Sequence, residues 1–178
     1  CATADFLASL LDPFKFDHCD LLDPGAGIGT LSIAFLNKLA SAGRILGKVT
    51  TTVCEIDPRM RMELVRTLAN YVGVRTDIQI EAEDFVDTAV NWLQFVPRRR
   101  FTHVIMNPPY MKISSDSVHR RLLRQVDIET GNLYSAFVAL ALKLLVPHGE
   151  LVAIIPRSFC NGPYYKSFRK IILSHAAI

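Results

Sequence analysis

The sequence predicts an α/β protein: a mostly parallel sheet with helices on both faces. Three observations carry this prediction. Short apolar or β-branched runs alternate with helical patterns along most of the chain. A glycine-rich turn, Asp23-Pro24-Gly25-Ala26-Gly27-Ile28-Gly29-Thr30, joins the first of these runs to a long helical pattern. That strand, turn and helix is the opening unit of nucleotide-binding α/β sheets. Finally, acidic or polar residues stand where successive runs end, at Asp23, Glu55, Asp84 and Asn107. The carboxyl ends of parallel strands are where such sheets bind ligands.

Taken in order, residues 5–11 form an amphipathic helix candidate that stops near Pro13, and residues 18–22 a strand candidate. The helix after the glycine turn places Leu31, Ala34, Phe35, Lys38 and Leu39 on one side. The spacing G-x-G-x-G departs from the dinucleotide pattern G-x-G-x-x-G, yet its glycines still let the backbone approach a ligand and expose N–H groups at a helix start. Residues 49–54 are β-branched and end in Glu55-Ile56-Asp57-Pro58. Asp57 followed by Pro58 is a helix start, and that helix runs to about Tyr71 and stops at Gly73. Asp57 thus has a structural role, whereas Glu55 has none and occupies the place where a carboxylate takes ribose hydroxyls.

Residues 77–82 give a third strand, followed by Glu83-Asp84-Phe85 and a helix through Val90, Trp92 and Leu93. Asp84 suits an N-cap and Phe85 a core position; the same pair suits an adenine, a carboxylate for its amine and a ring for its face. Arg98-Arg99-Arg100 precede the next strand on the side away from the ligand edge and read as a solvated run. Residues 101–106 then form a buried strand that halts at Asn107-Pro108-Pro109-Tyr110, because proline donates no ladder hydrogen bond. Residues 111–130 are polar and basic, with no assignable element, and read as a functional or mobile loop. A helix over 131–145 carries Leu133, Phe137, Leu140, Ala141 and Leu144 at core spacing; Pro147-His148-Gly149 turns into a strand at 151–155, and a last helix spans about 164–174.

The totals narrow the classes. A chain of 178 residues, 50% hydrophobic, suits one domain with a sizeable core. A formal charge of +3 permits nucleic-acid binding without arguing for it. The four cysteines have no metal-ligand spacing, so no metal is expected and the thiols read as reduced core residues. No run is long enough to cross a membrane. A start at Cys1 in place of methionine leads us to expect a fragment.

DPGAGIGTL, CEID, EDF and NPPY, in this order and spacing, resemble the class I S-adenosylmethionine-dependent amino-methyltransferases. The likeness is nearest to adenine-N6 DNA methyltransferases of restriction-modification systems whose cofactor motifs precede NPPY, and it extends to the tail IIPRSFCNGPYYKSFRKII. It implies a Rossmann-like class I methyltransferase fold over residues 1–178 as the catalytic, S-adenosylmethionine-binding domain. It also implies methionine binding at Asp23, Gly25, Ala26 and Gly27, ribose binding at Glu55, and an adenine sandwiched by Ile56 and Phe85 with its amine on Asp84. Asn107, Pro108, Pro109 and Tyr110 would form the catalytic turn, with Asn107 also reaching the cofactor. The expected activity is methylation of N6 of a flipped adenine in double-stranded DNA. A cognate restriction endonuclease acting separately fits such a system, and the expected location is a bacterial or archaeal cytoplasm, at the nucleoid. An aromatic-Thr-Pro cofactor loop should precede the first helix, where only Ala2-Thr3 stands, and the target-recognition domain is expected to lie outside this fragment.

The NPPY chemistry explains the likeness. The adenine N6 lone pair is delocalised into the ring; two carbonyl acceptors, from Asn107 and Pro108, would localise it as charge develops. No Pro-Cys pair offers a covalent nucleophile, which disfavours cytosine-C5 methylation. Alternatives sharing the motif are a protein glutamine-N5 or an RNA N-methyltransferase; a further one is a non-catalytic cofactor-binding scaffold.

Overall fold

Strands form where the sequence is β-branched or apolar and bounded by turn residues: β1 (Cys19–Pro24), β2 (Val49–Cys54), β3 (Thr76–Glu81), β4 (Phe101–Met106) and β5 (Leu145–Ala153). Helices α1 (Ala2–Ser9), α2 (Thr30–Ser41), α3 (Pro58–Leu68), α4 (Phe85–Phe95), α5 (Val118–Arg124), α6 (Leu133–Leu144) and α7 (Lys166–His175) occupy the intervening stretches. The computed structural model describes residues 1–43, 46–73 and 75–176.

The strands make one sheet in the order β3-β2-β1-β4-β5, with every pair parallel. Because side chains alternate across a strand, each strand feeds two cores. Leu22, Cys54, Val104 and Met106 join α4, α5, α6 and α7 on one face. Leu21, Val53 and Ile105 join α1, α2 and α3 on the other. Burial of each such side chain stabilises by about 1.5–3 kcal/mol, so β2 and β4, both wholly buried, are heavily anchored. The one imidazole of β4, His103, is fully buried, with Nδ1 2.8 Å from the Thr102 hydroxyl and Nε2 2.8 Å from the Asp12 carbonyl. Burial holds its pKa below the usual histidine range.

The chain order reverses between β1 and β4. Leu22 is in register with Val104, so the glycine turn after β1 and the Asn107 turn after β4 leave the sheet side by side. This switch point is the crevice at which open α/β sheets take ligands.

Three expectations need correction. The segment 111–130 is no mobile loop: it contains α5, and Ile113, Leu123, Val126 and Ile128 bury into the core beneath α4 and α6. The basic residues obscured an amphipathic helix whose apolar positions are few. Arg99 is not solvated with its neighbours; its guanidinium bonds Thr52 Oγ1 (3.0 Å) and Gln79 Oε1 (2.7 Å) and lies over the rings of Trp92 and Phe101. Pro147-His148-Gly149 is an irregularity within β5, not the turn before it: Phe101 pairs with Leu145 while His103 pairs with Glu150, and His148 adopts φ 63°. The last helix, Lys166–His175, falls where the sequence reading puts it, after a 3₁₀ turn at Arg157–Cys160. α6, read from one apolar stripe, is buried almost all round because α4, α7 and β5 enclose it.

Candidate active site

The glycine turn is closed from within. The N–H groups of Gly25 and Ala26 both donate to the Cys54 carbonyl at 2.9 Å, which ties the end of β1 to the end of β2. Gly27 N–H donates to Glu55 Oε2 (2.8 Å), and Gly29 N–H to the Ala26 carbonyl (2.9 Å). These glycine amides are therefore internal partners; they are not free donors at the helix start, as the sequence suggested. Two glycines are needed for other reasons. Gly27 has φ 57°, with open space where a Cβ would sit. Gly29, at φ 86°, would bring a Cβ to 2.7 Å from Leu64 of α3.

Asp23, at the end of β1, is 1% exposed. Its Oδ2 accepts from the Ser32 hydroxyl at 2.7 Å, and its Oδ1 is buried with no partner. Burial pushes its pKa up to about 7, against the pull of the Ser32 hydroxyl and amide, and the nearby Glu55 charge adds to the rise. Glu55 is 8% exposed and also accepts from Asp57 N–H (2.8 Å) through Oε1. One carboxylate thus spans the glycine turn and the start of α3. Asp57 caps α3 by accepting from Arg59 and Met60 N–H, the structural role read from sequence. Ile56, next to Glu55, is 62% exposed.

Asp84 caps α4, its Oδ1 accepting from Val86 N–H (2.8 Å) and Asp87 N–H (3.3 Å). Its Oδ2 lies 3.2 Å from His119 Nε2 of α5. Phe85 is 3% exposed, its ring 4.8 Å from that of Phe137. Ile56 and Phe85 are thus unequal partners: the first offers an open apolar face, the second is seated in the core.

Across the switch point, Pro108 is buried and Asn107 exposed. The Tyr110 hydroxyl stands 2.9 Å from both Asn107 Oδ1 and the Ile154 carbonyl, so the motif is pinned to the end of β5. The Tyr110 ring is 53% exposed, and Tyr134 meets it edge-on at 6.2 Å. Behind Tyr134, Asn132 Nδ2 donates to the hydroxyls of Tyr164 (3.4 Å) and Tyr165 (3.1 Å).

Sequence reasoning thus placed Asp23, the glycines, Glu55, Asp84 and the Asn107–Tyr110 turn on one edge. It missed Ser32, His119 and the Asn132–tyrosine cluster. Ser32 sits nine positions beyond Asp23, a separation that signals nothing until α2 folds back over the end of β1. His119 lay in the stretch read as a loop. Among the described residues no group of three or more His, Cys, Asp or Glu is placed to hold a metal ion, and no helix is long and apolar enough to cross a membrane.

Comparison with known proteins agrees with this architecture. Type II methyltransferase M.BsuBI of Bacillus subtilis is 43% identical over 183 residues, covering 97% of this chain. Type II methyltransferase M.PstI of Providencia stuartii is 39% identical over 186 residues, covering 99%. The chain spans 36% of the length of each. A modification subunit of a type I restriction enzyme from Vibrio vulnificus superposes with a TM-score of 0.75 at 15% identity, over 96% of this chain and 37% of that one. A class I S-adenosylmethionine-dependent methyltransferase from Listeria monocytogenes gives 0.73 at 17% identity, over 97% and 50%. The fold is that of the class I methyltransferases. The model of the Eco57I restriction-modification methylase family matches residues 44–178, from the approach to β2 through Asn107–Tyr110 to the last helix, and the chain belongs to that family.

Proposed function

We propose that residues 1–178 are the S-adenosylmethionine-binding catalytic domain of a site-specific DNA methyltransferase that methylates N6 of a flipped adenine in duplex DNA. It would be the modification component of a restriction-modification system, working in the cytoplasm on the nucleoid, with a cognate endonuclease acting separately. The observation that carries this reading is the adjacency at the switch point: Asn107 and Tyr110 leave β4 beside the glycine turn that leaves β1. The names of the two Type II relatives support it.

The residues present fit S-adenosylmethionine. The buried, unpartnered Asp23 Oδ1 suits an ammonium group, and the open space at Gly27 admits a ligand close to the backbone. Glu55 keeps lone pairs beyond the two it gives to backbone amides, and these suit ribose hydroxyls. Ile56 presents an apolar face that suits the adenine ring, Phe85 is seated in the core against Phe137, and the Asp84 carboxylate suits the amine. The cofactor supplies an electrophilic methyl group.

The acceptor half then does the remaining work. Asn107 Oδ1 and the Pro108 carbonyl accept the two N6 hydrogens of the target adenine, which localises the nitrogen lone pair as charge develops. The paired prolines hold that carbonyl still. Tyr110 stacks on the extruded base; base–aromatic stacking is worth about 1–3 kcal/mol, comparable to the few kcal/mol that flipping costs. The Tyr110–Asn107 hydrogen bond keeps both groups aligned before the base arrives.

The test is transfer of labelled methyl from S-adenosylmethionine to unmethylated duplex DNA by the full-length protein, with the product base identified by mass. N6-methyladenine that vanishes with Asn107→Ala is the expected result. Label in protein, or cofactor binding without transfer to DNA, would overturn the proposal.

A further inference from the structure

Among the described residues, Asp84 is the predicted cofactor residue whose carboxylate is paired with a histidine. Its Oδ1 is committed to the cap of α4, through Val86 and Asp87 N–H. The other oxygen, Oδ2, meets His119 Nε2 at 3.2 Å, and both side chains are about one-third exposed, at 32% each. A carboxylate offers about four lone-pair sites. Two backbone amides and one imidazole leave room for one further donor, on the accessible side.

His119 is not carried on a loose strap. α5 sits on α4 through Leu123 and is closed at its base by Val126 and Ile128, all buried in the core that α4 and α6 share. Ser117 caps the helix by accepting from Arg120 N–H, and Arg120 bonds the Thr130 carbonyl and pairs with Glu129. The strand-like ends of the segment are tied together, Ile113 N–H to the Gly131 carbonyl (2.7 Å) and Leu133 N–H to the Met111 carbonyl (2.8 Å). The segment therefore runs from the catalytic Tyr110 out to Asp84 and back as a fixed loop.

We propose that His119 is a positioning residue for the adenine end of the cofactor site. It holds the Asp84 carboxylate so that its remaining lone pair faces the cofactor's 6-amino group, and it thereby sets the preference for an amino over an oxo group at that position. This rests on the cofactor reading above. The two α4 amides hold Oδ1, and the His119 ion pair gives the side chain a second point of attachment at Oδ2. Without it, the carboxylate can pivot about Oδ1 through its side-chain torsions, and Oδ2 loses its fixed direction.

The experiment measures, on the full-length protein, calorimetric affinities for S-adenosylhomocysteine and for S-inosylhomocysteine, which carries a 6-oxo group. His119→Ala should lower the amino-over-oxo preference roughly two- to fivefold, the weight of one partly exposed ion pair. His119→Gln, which keeps an N–H donor, should recover most of it, and it keeps the question answerable where the alanine variant fails to fold. An unchanged preference in both variants, including equal weakening of both ligands, would overturn the inference while leaving the cofactor reading intact. A wild-type protein that binds neither ligand would overturn both.

Discussion

Glu55 and Asn107 stand at the carboxyl ends of β2 and β4, the strands on either side of β1, yet they are built into the molecule in opposite ways. Glu55 is buried, and both its oxygens are occupied by backbone amides from different elements. Asp23 and Asp84, on the same side, are likewise tied, one to α2 and the other to α4 and α5. Asn107 is exposed, and its one side-chain hydrogen bond is to Tyr110, itself half in solvent. The proposed cofactor half is tied together by contacts within the protein. The acceptor half is an open platform on a rigid strand. Under the proposed function the difference would follow from the sizes of the tasks: a small ligand is gripped by preformed polar groups, whereas a base swung out of a duplex would enter from outside.

The largest expected effect is on the platform. Asn107→Ala should reduce methyl transfer about 10²- to 10³-fold, the usual cost of losing one preorganised donor or acceptor at a developing charge. Cofactor affinity should fall far less, because Asn107 would give the cofactor a single contact while the other binding groups lie on the other half. Single-turnover rates set against calorimetric affinity measure the split. A comparable loss in both would mean that the two halves are one unit.

Glu55→Ala should give the reverse pattern. It removes the acceptor for two backbone amides as well as the proposed ribose contact, and hydrogen bonds to charged groups contribute about 1.5–3 kcal/mol each. Cofactor affinity is expected to drop at least about 30-fold, with a lower melting temperature besides. Glu55→Gln keeps one acceptor oxygen and should lose less of both. A variant that melts like wild type would show that the bridge to Gly27 and Asp57 is not structural.

Next in size is the tyrosine. Tyr110→Ala removes a stacking face worth about 1–3 kcal/mol, and Tyr110→Phe removes only the hydroxyl bonded to Asn107 and Ile154. The phenylalanine variant should retain most of its DNA affinity and lose turnover modestly; the alanine variant should lose affinity for DNA containing the unpaired target base. Fluorescence of 2-aminopurine at the target position reads the flipped state. Equal defects in the two variants would shift the role of Tyr110 from stacking to holding Asn107.

The parts that could be read from sequence are those where one strand end carries its own signal. Proline pairs, glycine runs and isolated carboxylates mark turns directly, so Asp23, Glu55, Asp84 and Asn107 could be placed on one edge from the order of elements alone. Asp57 as an N-cap is equally plain, since a cap is a local geometry, whereas Asp84 suits a cap and an adenine contact alike from sequence, and it does cap α4. Partners supplied from a distance could not be read. Ser32 reaches Asp23 only once α2 lies along the sheet, and His119 reaches Asp84 only once α5 is held down by a few buried residues in a basic stretch. Arg99 misled for the same reason: three consecutive arginines look solvated, and only the fold shows that one of them crosses to Thr52 and Gln79.

The smallest effect tests how the cofactor half is held together. Asp23 titrates near 7 in the folded protein against an ordinary 3.8, mainly because it is buried. Its folded pKa is raised, so the stability it contributes is fully present below 3.8 and is lost as pH climbs through about 7. Ser32 opposes that loss by donating to the ionised form. Ser32→Ala should therefore cost about 1–2 kcal/mol at pH 8, where Asp23 is charged. At pH 5 the cost should be clearly smaller, because Asp23 keeps its proton whether or not Ser32 is present. Urea denaturation at the two pH values measures the difference. A cost that is equal at both would mean that Ser32 stabilises α2 by packing alone, and the stiffness of the cofactor half would then rest on Glu55 and its two amides.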